Sequence, residues 1–271
     1  MSAHNPTSTS FANAIGVFDS GVGGLSVLRA IRAALPAEDL VYVADSGFAP
    51  YGDKSEAFIT QRTLSIGNWL AASGVKAITV ACNTATVVAI GRLREQTHLP
   101  VVAIEPAIKP AANTTQSGVV GVLATTQTLQ SESVARLCNA YGAGKRILLQ
   151  PCPGWAEAVE RADLHSPQTE ALLRQFVEPL MREGADTLVL GCTHYPFLRE
   201  TLQSMVGPDV TLIDPADAVA TELARRISDS RRTDSNHFGT TQFFTSGDVA
   251  HVQKVVSLLW GDEAIVKPMP Q

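Results

Sequence analysis

The feature of this sequence that most constrains its fold is an internal repeat. Three segments of the first half recur in the second half, in the same order and at similar spacing. In the two copies, 65 residues separate Val17 from Cys82 and 70 separate Val122 from Cys192. The repeat predicts two similar units. The matching pairs are GVFDS at 16–20 with GVLAT at 121–125, ITVACNT at 78–84 with LVLGCTH at 188–194, and AIEPA at 103–107 with LIDPA at 212–216.

Short apolar runs alternate with helical periodicity along the whole chain. A helix is predicted between Leu25 and Leu35, where Pro36 stops it, and Ser55 caps another that ends at Gly74. This alternation predicts an α/β fold with parallel sheets flanked by helices. The predicted strands are 15–18, 40–44, 75–81, 101–104, 119–123, 147–149, 187–190, 210–213 and 242–244.

The repeat also predicts the domain division. Residues 1–104 and 214–271 form a first α/β domain, and residues 105–213 form a second. The segment after Asp214 holds two predicted helices and one strand, too little for a third domain, so it returns to the first. We expect pseudo-twofold symmetry, with the active site in the cleft between the domains, because open α/β sheets bind ligands beyond the carboxyl ends of their strands.

Composition excludes several classes of protein. The net charge is −5 and the pI is near 5.7, without the basic clusters of a protein that binds nucleic acid or an anionic membrane. No apolar stretch has membrane length, and Met1–Asn13 reads as a polar tail rather than a secretory signal, so we expect a cytoplasmic protein. The widely spaced cysteines indicate free thiols. Cys138 lies on a helical face and is assigned to packing, while Cys152 has no assigned role.

Cys82 and Cys192 occupy matching places in the repeat, each at the end of an apolar strand. Small polar residues follow both, at what should be the start of a helix, which would lower the pKa of each thiol. Two thiols on opposite sides of one cleft suit a two-base racemisation, in which one takes a proton and the other delivers one. A single strand-end cysteine is more often a small buried side chain, but two matched ones favour chemistry.

Residues 16–24 are predicted to form a strand followed by a Gly-rich turn and the start of a helix, an arrangement typical of an anion site. Asp19 would then meet an ammonium group or assist a thiol, or it simply caps the helix, and Ser20 offers a hydroxyl. Tyr51 and Gly52 either line the mouth of the site or form a plain turn. His194 could activate Cys192, orient substrate or cap a helix. Its Cys-x-His spacing lacks the paired ligands of a zinc site, so no metal is expected.

At these residues the sequence resembles the glutamate racemases, within the aspartate/glutamate racemase superfamily. The similar motifs run in family order from Ile15 over almost the whole chain. They are GVFDSGVGGL at 16–25, PYG at 50–52, ACNTA at 81–85, IEP at 104–106, LGCTHYP at 190–196 and FTSGD at 244–248.

The resemblance implies a cofactor-free interconversion of L- and D-glutamate that supplies D-glutamate for peptidoglycan. It also implies that the protein is a homodimer. Cys82 would serve the D-isomer and Cys192 the L-isomer, with Asp19 and His194 assisting proton transfer. The role of Glu157 stays open. The implied substrate contacts are Asp19, Ser20, Tyr51, Gly52, Asn83, Thr84, Thr193 and His194.

Three alternatives remain. A dinucleotide enzyme would use Gly21 and Gly23 with Asp45, but Ser26 replaces the third glycine of that fingerprint and Asp19 would crowd a pyrophosphate. Another enzyme of the same superfamily could share the fold and differ in substrate. A two-domain protein that only binds an amino acid would explain the repeat but not the paired thiols.

Overall fold

The computed structural model describes residues 11–232, 234 and 237–270. Within these residues the strands form two sheets, and every strand pairing is parallel. The larger sheet has the order β10-β9-β2-β1-β3-β4, and the smaller has the order β6-β5-β7-β8. The strands are β1 Ile15–Asp19, β2 Leu40–Ala44, β3 Ala77–Val80, β4 Val101–Ala103, β5 Val119–Ala124, β6 Arg146–Pro151, β7 Thr187–Leu190, β8 Thr211–Ile213, β9 Thr241–Thr245 and β10 Val266–Pro268.

Helices connect the strands. The first predicted helix is confirmed, with Leu25, Leu28 and Ile31 fully buried on one face. The second is also confirmed, because the Ser55 hydroxyl accepts a hydrogen bond from the Phe58 amide at 3.3 Å. The helices are α1 Leu25–Ala34, α2 Glu56–Ala72, α3 Asn83–Gln96, α4 Ile108–Thr114, α5 Thr126–Leu129, α6 Glu132–Tyr141, α7 Trp155–Glu160, α8 Pro167–Arg182, α9 Arg199–Val206, α10 Ala216–Arg226 and α11 Val249–Leu259.

The two sheets repeat one strand order, as the sequence predicts. Strands β2-β1-β3-β4 of the larger sheet correspond in chain order and position to β6-β5-β7-β8 of the smaller. The predicted fold class, two parallel sheets flanked by helices, is therefore confirmed. The exact division of the chain into domains stays a prediction.

The end of the chain differs from the prediction by one strand. Strand β9 pairs with β2, with Tyr42 opposite Phe243, and β10 then pairs with the outer edge of β9. Strand β10 was not predicted, because it has only three residues, of which Lys267 and Pro268 are poor strand formers.

The predicted polar tail ends earlier than expected. Residues 1–10 of that tail lie outside the described residues. Phe11, however, is 4% exposed, and its ring lies edge-on to those of Trp69 and Phe244 at 5.7 and 5.5 Å. The tail prediction is therefore wrong from Phe11 onward, because this ring is buried against α2 and β9.

The carboxyl ends of the two sheets face each other. Thr193, beyond β7, donates a hydrogen bond at 3.3 Å to Asp19, the last residue of β1. Thr84, at the start of α3, lies 3.0 Å from Thr125, just beyond β5. These contacts place the residues that follow β1, β3, β5 and β7 around one cleft. Among the described residues, no helix is long and apolar enough to cross a lipid bilayer.

Candidate active site

Cys82 lies at the cap of α3, as predicted, and is 4% exposed. Its sulfur accepts the Ala85 amide at 3.4 Å and lies 3.6 Å from the Ser20 hydroxyl. The predicted lowering of its pKa is wrong. Burial and the nearby Asp19 carboxylate raise the pKa of Cys82, and the bonds from Ala85 and Ser20 only partly oppose them.

Cys192 follows β7 and is 8% exposed, but no α-helix begins there. A turn leads into a 3₁₀ helix over Tyr195–Leu198, and α9 starts only at Arg199. Pro196 explains why no α-helix begins directly after Cys192, because a proline disfavours α-helical geometry in the residue before it. Cys192 therefore has a side-chain partner in place of a helix terminus. Its sulfur lies 3.6 Å from Nδ1 of His194.

His194 connects Cys192 to a carboxylate that the sequence did not reveal. Its Nε2 lies 2.7 Å from Oε1 of Glu160, the last residue of α7. Burial alone would lower the pKa of His194, but the bonds to Cys192 and Glu160 raise it well above its usual value. The imidazolium is thereby favoured, and its positive charge lies beside the Cys192 sulfur. The arrangement places His194 on the Cys192 side of the cleft.

The Gly-rich turn is not an open anion site, which corrects the prediction from sequence. The Val22 amide donates to Oε1 of Glu160 at 2.6 Å, and the Gly24 amide donates to Asp19 at 2.7 Å. A methyl group at Gly21 would lie 2.6 Å from the Glu160 carboxyl carbon. The turn therefore binds an anion of the protein itself, and its glycines allow the close approach of α7.

Asp19 takes one of the roles that the sequence left open, at the start of a helix. It is fully buried and accepts the Gly24 amide just before α1, so it stabilises the start of that helix. It also accepts the Thr193 hydroxyl from across the cleft. Burial raises the pKa of Asp19, and Glu160 adds to this, while His194 and the Gly24 bond oppose it.

Asn83 carries an unpartnered side chain at the cleft. It is 3% exposed, and neither its amide nitrogen nor its amide oxygen has a hydrogen-bond partner among the described residues. A buried amide without partners costs free energy, which a polar ligand in the cleft would recover. Beside it, Thr84 contacts Thr125 at 3.0 Å and Thr128 at 3.4 Å. Thr125 was not predicted as a site residue, although the repeat aligns it with Ser20.

Tyr51 is 1% exposed, and its hydroxyl is already engaged, donating to Asp45 at 2.5 Å. Gly52 packs against Thr125, since a methyl group there would lie 3.1 Å from Cγ2 of that threonine. A small cavity of about 30 Å³ lies between this loop and the second sheet. Glu157 and Cys152 line its far side.

The two remaining cysteines do not join this network. Cys152 is 3% exposed, and burial raises its pKa well above the usual value. Cys138 is half-buried on α6 and packs beside Val134 in the core of the second sheet. Within the described part of the chain, no three His, Cys, Asp or Glu side chains are grouped to hold a metal ion.

The family model described as Asp/Glu/hydantoin racemase matches residues 15–223. The chain belongs to this family. Among its relatives, a glutamate racemase of Ectopseudomonas mendocina is 51% identical over 253 residues, which cover 93% of this chain and 96% of that protein. The racemase family therefore accounts for both halves of the repeat.

Solved structures of racemases share the whole fold. A glutamate racemase isoform of Bacillus anthracis superposes with a TM-score of 0.86 at 32% identity, over 95% of this chain and 97% of that one. A glutamate racemase of Escherichia coli, solved with L-glutamate and the activator UDP-MurNAc-ala, gives 0.82 at 30% identity, over 96% and 100%. The predicted family membership is thus confirmed.

Proposed function

We propose that this protein is a glutamate racemase that needs no cofactor and uses Cys82 and Cys192 as its two acid/base groups. The observation that carries the proposal is the pair of buried thiols beyond β3 and β7, which are matching strands of two sheets that face each other. The relatives named glutamate racemase, up to 51% identical over most of the chain, support glutamate as the substrate.

In the proposed reaction, each thiol serves one face of the α-carbon. Starting from D-glutamate, the Cys82 thiolate takes the α-proton and the Cys192 thiol delivers a proton to the opposite face. Starting from L-glutamate, the roles reverse. His194 and Glu160 support charge at Cys192, whereas Cys82 has the Ser20 hydroxyl and the carboxylate of Asp19 nearby.

A bound substrate would relieve the unfavourable charge at Cys82. Burial and the negative charge of Asp19 raise the pKa of Cys82, and the α-ammonium group, placed against Asp19, would compensate that charge. The unpartnered Asn83 amide supports a polar ligand at the same place. The proposed substrate contacts remain those predicted from sequence: Asp19, Ser20, Tyr51, Gly52, Asn83, Thr84, Thr193 and His194.

We extend the proposal to the cellular setting on the family resemblance. The protein would act in the cytoplasm as a homodimer and supply D-glutamate for peptidoglycan. The domain division into 1–104 with 214–271, and 105–213, is part of the same proposal. It is supported by the strand membership of the two sheets.

The test is turnover of D-glutamate in deuterated water by the purified protein without added cofactor. We expect L-glutamate with deuterium at the α-carbon, because the proton that Cys192 delivers exchanges with solvent. Chiral chromatography with mass spectrometry reads both results at once. Turnover that requires pyridoxal phosphate would contradict the cofactor-free mechanism. Saturable glutamate binding without α-proton exchange would favour a binding protein, and faster turnover of aspartate would change the substrate.

A further inference from the structure

Asp45 is a buried carboxylate next to the cleft that the proposed mechanism does not use. It follows β2 directly, is fully buried, and its backbone amide bonds to the Asp19 carbonyl at 3.0 Å. Its carboxylate accepts three hydrogen bonds, one from Tyr51 at 2.5 Å and two from Arg62 at 2.9 and 2.6 Å. A fully buried carboxylate is tolerated because these donors compensate its charge.

Arg62 extends from α2 and lies over the Phe48 ring. Its Nε and Nη2 form a two-point contact with Asp45, and its guanidinium lies 4.3 Å from the centre of the Phe48 ring. The ring in turn packs edge-on against Phe58 at 5.5 Å. Only a planar guanidinium can make two parallel hydrogen bonds while stacked on an aromatic ring.

These contacts fix the loop that carries two of the proposed substrate contacts. Because the Tyr51 hydroxyl donates its proton to Asp45, it has no proton left to donate to a substrate. What the loop offers to a ligand is then the backbone around Tyr51 and Gly52, held against Thr125 across the cleft. Removing either partner of Asp45 would release this backbone.

We infer that Arg62 is a positioning residue of the glutamate site. It acts through Asp45 and Tyr51, does not touch the substrate, and sets the Gly52 backbone at the distance that binding requires. This inference rests on the proposed glutamate racemase function and adds to it a residue outside the cleft.

The test is Arg62→Lys, which keeps the charge but loses the second hydrogen bond and the guanidinium contact with Phe48. We expect KM to rise about tenfold for both enantiomers with kcat within about threefold, because the loop would bind ground state and transition state alike. Calorimetric titration with glutamate should show the same loss of affinity, so the answer does not depend on turnover.

The matched control is Lys76→Arg, a charge-conserving exchange in another buried ion pair of the same sheet. Lys76 pairs with Glu38 at 2.6 Å, but at the amino end of β3, away from the cleft. We expect this variant to keep the KM of the unmodified protein. An equal rise in KM in Lys76→Arg would mean that the effect of Arg62→Lys comes from general destabilisation, and it would contradict a positioning role for Arg62.

A second variant decides the question if Arg62→Lys does not fold. Asp45→Asn combined with Arg62→Gln removes both charges, so no unpaired buried ion remains, and KM should still be raised. Unchanged KM and affinity in either folded variant, or a fall in kcat alone, would overturn the inference. Failure of the unmodified protein to racemise glutamate would instead refute the proposed function. The calorimetric titrations with glutamate would still show whether Arg62 affects glutamate binding.

Discussion

Gly23→Ala should displace the His194 ring without changing its chemical groups, so this variant tests whether the position of the ring matters for catalysis. Gly23 does not have a positive φ, so its backbone accepts alanine without strain. The added methyl group, however, would lie 2.6 Å from both Cγ and Cε1 of His194, where ordinary contacts begin at 3.4 Å. The ring or the Gly-rich turn must therefore move by nearly 1 Å.

The His194 ring has no free direction in which to move. It is 1% exposed, bonded on one side to Glu160 and on the other side near Cys192. Overpacking of this kind costs roughly 1–3 kcal/mol of stability. A misplacement near 1 Å in a catalytic group can cost about a hundredfold in rate. We expect kcat to fall by about that factor while the protein stays folded.

The assay is racemisation followed from both enantiomers, with thermal unfolding measured in parallel. The enantiomers have equal free energy, so kcat/KM must fall equally in the two directions, and this relation checks the data. The control is Gly91→Ala, which adds the same methyl group in α3 where no atom lies within 4 Å, and which should leave activity unchanged. Near-normal kcat in folded Gly23→Ala would refute the requirement for His194 at this position.

Three further outcomes follow from the structure. Alanine at Cys82 or Cys192 should abolish racemisation, and mixing the two variants should not restore it, because one chain holds both thiols; recovered activity would mean that subunits share a site. Glu160→Gln keeps an acceptor for the bonds from Val22 and His194 but removes a negative charge that helps to raise the pKa of His194. The alkaline fall in kcat should therefore begin at a lower pH than in the unmodified protein. An unchanged pH profile would exclude this role of Glu160. Partial burial raises the pKa of Asp186, but hydrogen bonds from residues 115–117 and from Thr187 outweigh this effect and lower the pKa to about 2. Asp186→Ala should therefore cost about 2 kcal/mol in urea unfolding near neutral pH. Because the folded pKa lies below the ordinary 3.8, this difference should vanish as the pH falls toward about 2, and persistence there would contradict the assignment.

The sequence alone determined the architecture and the two thiols. Periodicity of apolar residues is a local signal, and it placed the main strands close to their observed bounds. The repeat then aligned β1, β3 and β4 with β5, β7 and β8, so the positions of Cys82 and Cys192 followed without coordinates. Both cysteines lie where the predicted strands end.

The tertiary structure decided which groups surround those thiols. Glu160 bonds to Val22, 138 residues away in sequence, and it fills the turn that local pattern had marked as an open anion site. Arg62 bonds to Asp45 across a loop for which the sequence pattern predicted a turn or a lining of the site, but no ion pair. Such pairs are formed by the packing of separate elements, and no local periodicity encodes them. The pKa of Cys82 likewise depends on burial, which outweighs the helix terminus that the sequence correctly placed beside it.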